Sequence, residues 1–313
     1  MTAVETAIAQ ESLFSIRGAL LWGGQLLRHA GLENSRLDAE VLLRHVLDVE
    51  KEQLYMNDDA PISAGEEAKF RELLLRRSRR EPVAYITGHK EFWSLDFFVT
   101  PAVLIPRPET ELLVEVALQY VRRLASGSPL KVLDVGTGSG AIPVCLAKEQ
   151  AATQIVAVDI FPAALDVAGV NARRHGVADR IRFLSGDFFA PIKPLREIFD
   201  LIVSNPPYIR SGELPWLAPE IHRWEPTVAL DGGVDGIDSY RRIIEEGHSY
   251  LTTGGSIVLE IGADMASAVA DLFSRSGYYG PASVYQDYAG KDRVIAAVKL
   301  LPSDAAPKSI NRG

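Results

Sequence analysis

The chain has 313 residues, 47% of them hydrophobic, and a formal net charge of −8 at pH 7. This length and hydrophobic content suffice for two domains with a sizeable core. The negative charge argues against a protein whose main task is to bind long nucleic acid by its phosphates. A single cysteine, Cys145, excludes an intramolecular disulfide and a cysteine-based zinc site, so we expect no metal centre and a cytoplasmic setting. No stretch approaches the roughly 20 apolar residues of a membrane span, and we expect no contact with a membrane.

Residues 1–84 carry helical patterns. Apolar residues recur at helical spacing in residues 12–30, 35–48 and 52–56. Ser63 and Glu66 have the form of a capping box, which predicts a further helix ending at about Arg80. We therefore predict a small helical bundle over residues 1–84.

The last of these predicted helices ends in a cluster of arginines: Arg76, Arg77, Arg79 and Arg80. Cations at a helix C-terminus are favourably placed, and such a cluster is typical of a solvated helix end. It could instead be a contact patch for an acidic or RNA-bearing partner. The sequence leaves both interpretations open.

Residues 85–108 differ in character from the bundle. Partial alternation and strong β propensity over residues 91–99 predict a β-hairpin linker between the two domains. Arg107 follows, enclosed by two prolines and close to two glutamates. It either forms a structural ion pair or lines a site for a charged ligand. A helix is predicted from Pro108 to about Leu124.

Strand, loop and helix alternate through residues 109–300. Strands are predicted at residues 130–135, 155–159, 181–184, 199–204 and 255–260, with a closing pair at 283–287 and 293–299. This order predicts an α/β fold with a doubly wound, Rossmann-like parallel sheet, whose ligand binds at the carboxyl ends of the strands. Residues 212–236 form a long irregular loop beside that edge, which we interpret as a lid. The tail, residues 301–313, is small and polar, and we expect it to be disordered.

A glycine-rich loop follows the first predicted strand and consists of Gly136, Thr137, Gly138, Ser139 and Gly140. Glycines allow the backbone to approach a ligand closely, and the next helix offers free N–H groups at its start. The spacing differs from the GxGxxG fingerprint of dinucleotide-binding proteins. Asp134, in the strand end just ahead of the loop, would repel a pyrophosphate but could orient the ammonium group of a zwitterionic ligand.

Acidic residues also follow the next two strands. Asp159 can accept hydrogen bonds from both ribose hydroxyls, although it could instead cap the following helix. Asp187 and Phe188 suit an adenine held by its amino group and an aromatic edge, with a turn and a core aromatic as the alternative. Together, the loop and the three acids favour S-adenosyl-L-methionine (SAM) as cofactor over a nicotinamide dinucleotide.

Asn205, Pro206, Pro207 and Tyr208 directly follow the apolar strand at residues 199–204. Neither proline has an N–H, and Pro207 disfavours the helical conformation at Pro206, so the backbone leaves the sheet stiff and extended. The Asn205 oxygen and nearby carbonyls can converge as acceptors beside the flat ring of Tyr208. Such a site suits a planar NH₂ group, either a carboxamide or the exocyclic amine of a base. Two prolines alone would also be typical of a strand-ending turn.

Motifs across nearly the whole chain resemble the HemK/PrmC family, the N5-glutamine methyltransferases of peptide chain release factors. They lie at residues 36–40, 82–88, 91–93, 105–111, 134–141, 205–209, 236–241 and 290–293. The Asn-Pro-Pro-Tyr and glycine motifs are shared with many amino-methyltransferases, whereas Ile-Pro-Arg-Pro-Glu-Thr-Glu at residues 105–111 is far more specific. Two positions depart from the family: Phe188 stands where a Trp is frequent, and Met265 where a Gln is frequent.

The resemblance implies a SAM-dependent enzyme that methylates the glutamine of the GGQ motif in class 1 release factors and so supports translation termination. S-adenosyl-L-homocysteine would be the product, and the helical bundle would recognise the substrate. By motif position, the cofactor site would comprise residues Gly136 to Gly140, Asp159, Phe188 and Asn205, and we add Asp134 and Asp187 from their chemistry.

The substrate site would be formed by Asn205, Pro206, Pro207 and Tyr208. Asn205 Oδ1 and the Pro206 carbonyl would accept the two N–H bonds of the glutamine amide. Tyr208 would pack on the amide plane. Asn205, Pro206 and Tyr208 are therefore the predicted catalytic residues, acting by positioning and electrostatics.

Three alternatives remain open at the level of sequence. An adenine-N6 methyltransferase acting on DNA or RNA is the nearest, because the exocyclic amine presents the same two donors. Such an enzyme would need base flipping and a basic channel for the nucleic acid. The negative net charge of the chain disfavours such a channel. A glutamine methyltransferase of a ribosomal protein and a non-catalytic module that binds a release factor or ribosome are the others. We expect a monomer without a stable nucleic-acid partner.

Overall fold

The computed structural model describes residues 15–124 and 129–301. The predicted disordered tail therefore lies, from residue 302 onward, outside the described residues. Two compact units divide the chain: a helical unit, Met1–His89 with Ala218–Trp224, and a sheet unit, Lys90–Leu217 with Glu225–Gly313. None of the helices in the described ranges is both long and apolar enough to span a bilayer.

The helical unit begins with amphipathic helices packed around a common apolar core. They are α1 (Ile16–His29), α2 (Ser35–Leu47), α3 (Lys51–Met56), α4 (Ala64–Ser78) and α5 (Val83–Thr87). The predicted capping box at the start of α4 is confirmed, since the Ser63 hydroxyl accepts the Glu66 N–H at 3.2 Å and the Glu66 carboxylate accepts the Ser63 N–H at 2.7 Å. The predicted hairpin linker begins with helix α5 rather than a strand, and Gly88 ends that helix in a left-handed conformation (φ +77°).

The arginines at the end of α4 make ion pairs within the helical unit. The buried guanidinium of Arg77 donates to Asp38 at 2.7 Å and to Glu220 at 3.1 Å. Arg80 also donates to Glu220, at 3.2 Å. Because these charges are neutralised internally, the structure favours a structural role for this part of the cluster over a contact patch for an external acidic partner.

A hairpin of β1 (His89–Phe92) and β2 (Leu95–Phe98) follows, and all of it except His89 belongs to the sheet unit. Its main sheet consists of β3 (Leu130–Val135), β4 (Thr153–Asp159), β5 (Ile181–Ser185), β6 (Phe199–Ser204), β7 (Leu251–Glu260), β8 (Ser283–Gln286) and β9 (Asp292–Val298). The strand order is β5-β4-β3-β6-β7-β9-β8. The first five strands are parallel, and β9 and β8 close the sheet in antiparallel pairing. The predicted doubly wound α/β fold and its closing strand pair are confirmed.

Helices cover both faces of this sheet. The remaining helices are α6 (Thr110–Leu124), α7 (Ala141–Glu149), α8 (Pro162–Arg174), α9 (Pro219–His222, in the helical unit), α10 (Asp238–Gly247) and α11 (Ala266–Ser276). Successive strand residues point to opposite faces, so Val132 joins the core under α6 and α7, and Leu133 joins the core under α10 and α11. Because β3 is flanked by β4 on one side and β6 on the other, the crevice for a ligand opens at the carboxyl end of β3.

Candidate functional site

A cavity of about 330 Å³ lies at the carboxyl ends of β3, β4, β5 and β6. This volume is within the usual range for a small-molecule site. Most of the residues singled out by the sequence line it, namely Gly136, Gly138, Asp159, Asp187, Phe188, Asn205, Pro206 and Pro207. Five other predicted residues do not line it, namely Asp134, Thr137, Ser139, Gly140 and Tyr208. The structure therefore brings together at one edge of the sheet residues that are up to 71 positions apart in sequence, from Gly136 to Pro207.

The glycine loop forms an open backbone surface in this cavity. Gly136 and Gly138 have positive φ angles of +78° and +53°, and a Cβ added to either would meet nothing within 4 Å. The Gly138 N–H donates to Asp159 Oδ2 at 2.8 Å, and the Phe161 N–H donates to Asp159 Oδ1 at 3.0 Å. Asp159 is thus held by the backbone and keeps lone pairs for further donors such as ribose hydroxyls. Phe161, not Asp159, stands at the N-cap of α8.

Asp134 is a fully buried carboxylate at the end of β3. Neither of its oxygens has a hydrogen-bond partner among the described residues, and the Thr137 hydroxyl is likewise unpaired. Burial raises the pKa of Asp134 to about 7, against a smaller opposing effect of the neighbouring Thr137 hydroxyl. An unpartnered buried carboxylate is costly unless it gains a proton or a cation. The unpaired acceptor oxygens of Asp134 therefore suit a ligand that carries an ammonium group, although Asp134 itself does not line the cavity.

Ser139 and Gly140 serve the packing of the loop. A Cβ on Gly140 would lie 2.9 Å from the Cβ of Ala168 in α8, so only glycine permits this approach of the two helices. The Asn171 amide of α8 donates to the Ser139 carbonyl at 2.8 Å. The contact with Ala168 explains the glycine at position 140, whereas Asn171 contacts only the backbone of Ser139. Neither residue lines the cavity.

Arg242 of α10 is a cavity residue that the sequence analysis did not single out. Its guanidinium lies 4.1 Å from the centre of the Phe188 ring, and its Nη1 lies 2.9 Å from Asp187 Oδ2. Phe188 holds a positive φ of +46°, which is uncommon for an aromatic residue. The only feature of the sequence that could have indicated Arg242 is its position directly after the motif at residues 236–241.

The amide of Asn205 is held by a residue of the Ile-Pro-Arg-Pro-Glu-Thr-Glu motif. Asn205 Nδ2 donates to Thr110 Oγ1 at 3.2 Å. No hydrogen bond to Asn205 Oδ1 is found among the described residues, so this oxygen is available to a ligand in the cavity. One residue earlier, the Ser204 hydroxyl donates to the Val135 carbonyl at 2.6 Å and ties the ends of β6 and β3 together.

The end of the predicted lid, residues 212–236, pairs with the backbone that follows Tyr208. The Ile209 N–H donates to the Leu230 carbonyl at 2.9 Å, and the Gly232 N–H donates to the Ile209 carbonyl at 2.8 Å. A Cβ on Gly232 would lie 2.7 Å from the Tyr208 Cα, so the two segments are in close contact. Further residues of this segment line the cavity, namely Pro226, Val228, Ala229 and Asp231. Residues 226–231 of this loop therefore form one wall of the site.

Arg107 forms a structural ion pair, one of the two interpretations that the sequence left open. Its partner is Glu225, whose side chain is 2% exposed and whose second oxygen accepts the Ile105 N–H at 3.4 Å. Burial raises the pKa of Glu225, and Arg107 opposes that rise. Arg107 does not line the cavity. This pair fastens the segment that follows residue 224 to the motif at 105–111.

Tyr208 packs against the apolar core on the β7 side rather than into the cavity. A Cβ on Gly262 would lie 3.5 Å from Tyr208 Cδ2 and 3.2 Å from Met265 Sδ. Met265, one of the two departures from the family pattern, is 4% exposed and fills the space behind this segment as a core residue.

Family models match both units of the chain. A model described as "PrmC N-terminal domain" matches residues 18–88, and one described as "Methyltransferase small domain" matches residues 110–216. Two relatives named "Release factor glutamine methyltransferase" come from Geobacter sulfurreducens and Moorella thermoacetica. The first is 44% identical and aligns with 90% of this chain and 96% of its own length. The second is 42% identical and aligns with 91% of this chain and 99% of its own length.

A solved structure shows the same fold at low sequence identity. The hMettl16 catalytic domain, solved in complex with the MAT2A 3′UTR hairpin 6, is 15% identical and superposes with a TM-score of 0.54. The match covers 74% of this chain and 84% of that one. At this identity the match shows a shared architecture only.

Proposed function

The chain belongs to the release factor glutamine methyltransferase family, and on this premise we propose a reaction for the cavity at the ends of β3 and β6. In this reaction, a methyl group passes from SAM to the side-chain amide nitrogen of a glutamine in a peptide chain release factor. The enzyme class is a SAM-dependent protein-(glutamine-N5) methyltransferase. The substrate position we propose is the glutamine of the GGQ motif in class 1 release factors.

One observation carries the assignment of the acceptor site: the amide of Asn205 is bonded through its nitrogen and leaves its oxygen to the cavity. Thr110 accepts from Asn205 Nδ2 at 3.2 Å, so Asn205 Oδ1 is the atom that can receive an N–H of a substrate amide. The Pro206 carbonyl provides the second acceptor, because Pro206 lines the same cavity and no hydrogen bond to its carbonyl oxygen is found among the described residues. Two acceptors at fixed positions match the two donors of a carboxamide NH₂ group.

The residues around the cavity fit SAM. Gly136 and Gly138 offer bare backbone, Asp159 offers lone pairs for hydroxyls, and Asp134 offers a buried charge for an ammonium. When bound, SAM supplies an electrophilic methyl group on a sulfonium. The role of each of these residues is part of the proposal.

The protein would act on the amide mainly by positioning and electrostatics. The nitrogen of a carboxamide is a poor nucleophile, because its lone pair is delocalised into the carbonyl. Accepting both N–H bonds at Asn205 Oδ1 and the Pro206 carbonyl orients the nitrogen and increases its electron density. A new N–CH₃ bond forms as the S–CH₃ bond breaks, and the nitrogen loses one proton to solvent. No strong base is required at the start of the reaction.

The decisive experiment offers one labelled cofactor to competing acceptors. The protein is incubated with methyl-labelled SAM and, separately, with a class 1 release factor, DNA, RNA and ribosomes. We expect label on the release factor and none on a variant in which the GGQ glutamine is replaced by alanine. Label on DNA or RNA would instead identify an adenine-N6 methyltransferase, and label on a ribosomal protein the corresponding alternative.

The proposal also covers substrate recognition, oligomeric state and cellular compartment. We assign recognition of the release factor to the helical domain, predicted at residues 1–84, which is supported by the match of residues 18–88 to the PrmC N-terminal domain. We expect the enzyme to act as a monomer in the cytoplasm, without a stable nucleic-acid partner. Sedimentation at micromolar concentration, with and without release factor, tests the oligomeric state and the complex.

A further inference from the structure

The sheet unit presents three large hydrophobic side chains to solvent with almost no cover. Trp216 is 86% exposed, Val234 is 89% exposed, and Tyr288 is fully exposed. Among the described residues of this unit, the next most exposed large hydrophobic side chain is Leu301, at 53%. Single exposed apolar residues are ordinary on a protein surface, so the positions of these three decide whether they have a task. We call the three side chains the apolar rim.

Trp216 is connected by two successive hydrogen-bonded turns to the segment that follows Tyr208. The Trp216 N–H donates to the Glu213 carbonyl at 2.9 Å, and the Glu213 N–H donates to the Arg210 carbonyl at 2.8 Å. The Arg210 guanidinium also pairs with Glu213 and with Asp264. These bonds fix the backbone between Tyr208 and Trp216, so the indole is held beside the acceptor segment, residues 205–208.

Val234 lies in the part of the loop that folds back on the same segment. The carbonyl of the preceding residue, Gly233, accepts the Ser211 N–H at 2.9 Å. A Cβ on Gly236 would lie 2.6 Å from the Tyr208 carbonyl oxygen, so this end of the loop packs directly on the acceptor segment. Val234 stands between these two contacts, with its side chain in solvent.

Tyr288 lies in the turn between β8 and β9. Strand β9 is antiparallel to both β7 and β8, so β8 runs parallel to β7 and its carboxyl end reaches the edge of the sheet at which the cavity opens. Asp287 fixes the turn, because its Oδ1 accepts two backbone N–H groups of the turn at 2.9 and 3.0 Å. At the base of this hairpin, the Arg293 carbonyl accepts the Ile261 N–H at 2.8 Å, directly before the glycine that lies beside the Tyr208 ring. The whole apolar rim therefore lies at one edge of the sheet, around the acceptor segment.

The chemistry of this edge favours a protein partner over a nucleic acid. Arg210 and Arg241, which flank the loop at residues 212–236, each pair with two carboxylates. Asp231 adds a further carboxylate at the wall of the cavity. Binding to phosphates depends on cations that are free to neutralise them, and these two arginines are already neutralised. Trp and Tyr, by contrast, are the side chains that most often dominate the affinity of protein–protein interfaces.

We propose that Trp216, Val234 and Tyr288 form a docking surface for the protein substrate, a class 1 release factor, around the entrance through which its glutamine reaches Asn205. The occupant follows from the position, because a protein that inserts a side chain into the cavity has to cover the edge of the sheet around the acceptor segment. None of the three side chains lines the cavity, so the surface acts on the protein substrate and not on the cofactor.

This inference rests on the proposed function and deepens it. It names the residues of the sheet unit that meet the release factor, in addition to the recognition assigned to the helical domain. It also gives a task to the motif at residues 290–293, since the hairpin that contains this motif presents Tyr288.

The test measures the methylation kinetics of W216A, V234A and Y288A with a purified class 1 release factor as acceptor. We expect W216A to raise KM for the release factor about 10- to 30-fold, and V234A and Y288A about three- to tenfold, as for the truncation of interface residues. The kcat of each variant should stay within about twofold of the wild-type value, because only binding common to the ground state and the transition state is removed. The dissociation constant of S-adenosyl-L-homocysteine should not change, which also verifies that each variant is folded.

A matched control is I198A at the opposite edge of the sheet. Ile198 is 42% exposed and directly precedes the amino end of β6. I198A therefore removes exposed apolar surface from the same unit at a distance from the cavity. We expect its KM for the release factor to equal that of the wild type, and a rise as large as that of W216A would contradict a localised docking surface.

A binding readout separates this inference from the proposed function. In protein labelled with 5-fluorotryptophan, the ¹⁹F resonance of Trp216, assigned by its loss in W216F, should shift when the release factor is added. If the wild type binds the release factor without methylating it, the proposed function fails and the shift still supports the docking surface.

Other outcomes would overturn the docking surface while the proposed function stands. These are methylation with a wild-type KM in W216A, and a Trp216 resonance that shifts with RNA but not with the release factor. A wild-type KM in V234A or Y288A would remove that residue from the surface.

Discussion

The guanidinium of Arg242 covers the ring of Phe188 at 4.1 Å while it pairs with the neighbouring Asp187. One side chain from α10 thus holds two consecutive residues at the end of β5, one of them with a positive φ. A cation over an aromatic face contributes about 0.5–1 kcal/mol at exposed sites. The charge of Arg242 therefore stabilises the conformation of the proposed adenine subsite.

Replacing Arg242 by alanine should weaken cofactor binding. We expect R242A to raise the dissociation constant of S-adenosyl-L-homocysteine about three- to tenfold, because Phe188 and Asp187 lose their common partner. R210A is a matched control, since Arg210 pairs with Glu213 and Asp264 and none of these three residues lines the cavity. Isothermal titration calorimetry measures both. Equal effects of the two substitutions would contradict the specific role of Arg242.

Two glycines of one loop should respond differently to alanine. Gly138 and Gly140 both have positive φ, so either substitution carries a backbone cost of about 1–2 kcal/mol. Only at Gly140 would the new Cβ collide with Ala168, which adds about 1–3 kcal/mol. Urea unfolding should therefore show G140A as the less stable variant. G138A, whose Cβ enters the cavity, should show the larger loss of SAM affinity, and a reversed order would refute this division of roles.

The stability of the ligand-free protein should depend on pH through its buried acids. Burial raises the pKa values of Asp134 and Glu260 to about 7, whereas in the unfolded chain both titrate near about 4. These two sites thus bind more protons in the folded protein in this interval, and their contribution to the free energy of unfolding should fall as the pH rises from about 4 to about 7.

Replacing one of these acids tests the assignment. D134N should make the decline shallower by up to about 1.4 kcal/mol per pH unit, because one titrating group is removed. Urea denaturation between about pH 5 and about pH 7 measures the slope. Identical slopes for wild type and D134N would show that Asp134 does not titrate in this range.

Removal of the Asn205 side chain should separate catalysis from cofactor binding. We expect N205A to lower kcat for release factor methylation at least about 100-fold, as for the loss of a preorganised polar group at a reacting centre. SAM affinity should stay within about threefold, since the glycine loop and Asp159 are untouched. Activity assays with calorimetry on the same sample check both parts, and a near-normal rate would remove Asn205 from the catalytic site.

Local patterns predicted the sheet well. Strands β3 and β6 have the predicted limits, because each is a short apolar run bounded by turn residues or glycines. The hairpin of β1 and β2 was also predicted, but not its turn, in which Trp93 and Ser94 both adopt positive φ without a glycine. A hydrogen bond from the Trp93 N–H to Glu111, 18 residues away, supports that turn.

The pairs that shape the site could not be predicted, because their members are distant in sequence. Arg107 and Glu225 are separated by 118 residues, and Thr110 and Asn205 by 95. No periodicity links such positions, and only the folded sheet brings them together. For the same reason the sequence placed Gly140 in the cofactor site, whereas its contact with Ala168 gives it a packing role.

The bond from the Ser204 hydroxyl to the Val135 carbonyl continues the register of two neighbouring strands, in which Asp134 lies opposite Val203. The cofactor loop leaves one of these strands and the acceptor segment leaves the other. The separation of the two segments where they leave the sheet is thereby set by the spacing of paired strands, about 4.8 Å, which side-chain substitutions hardly alter. Substitutions in either segment can therefore reshape the cavity while the points at which the two segments leave the sheet keep their spacing.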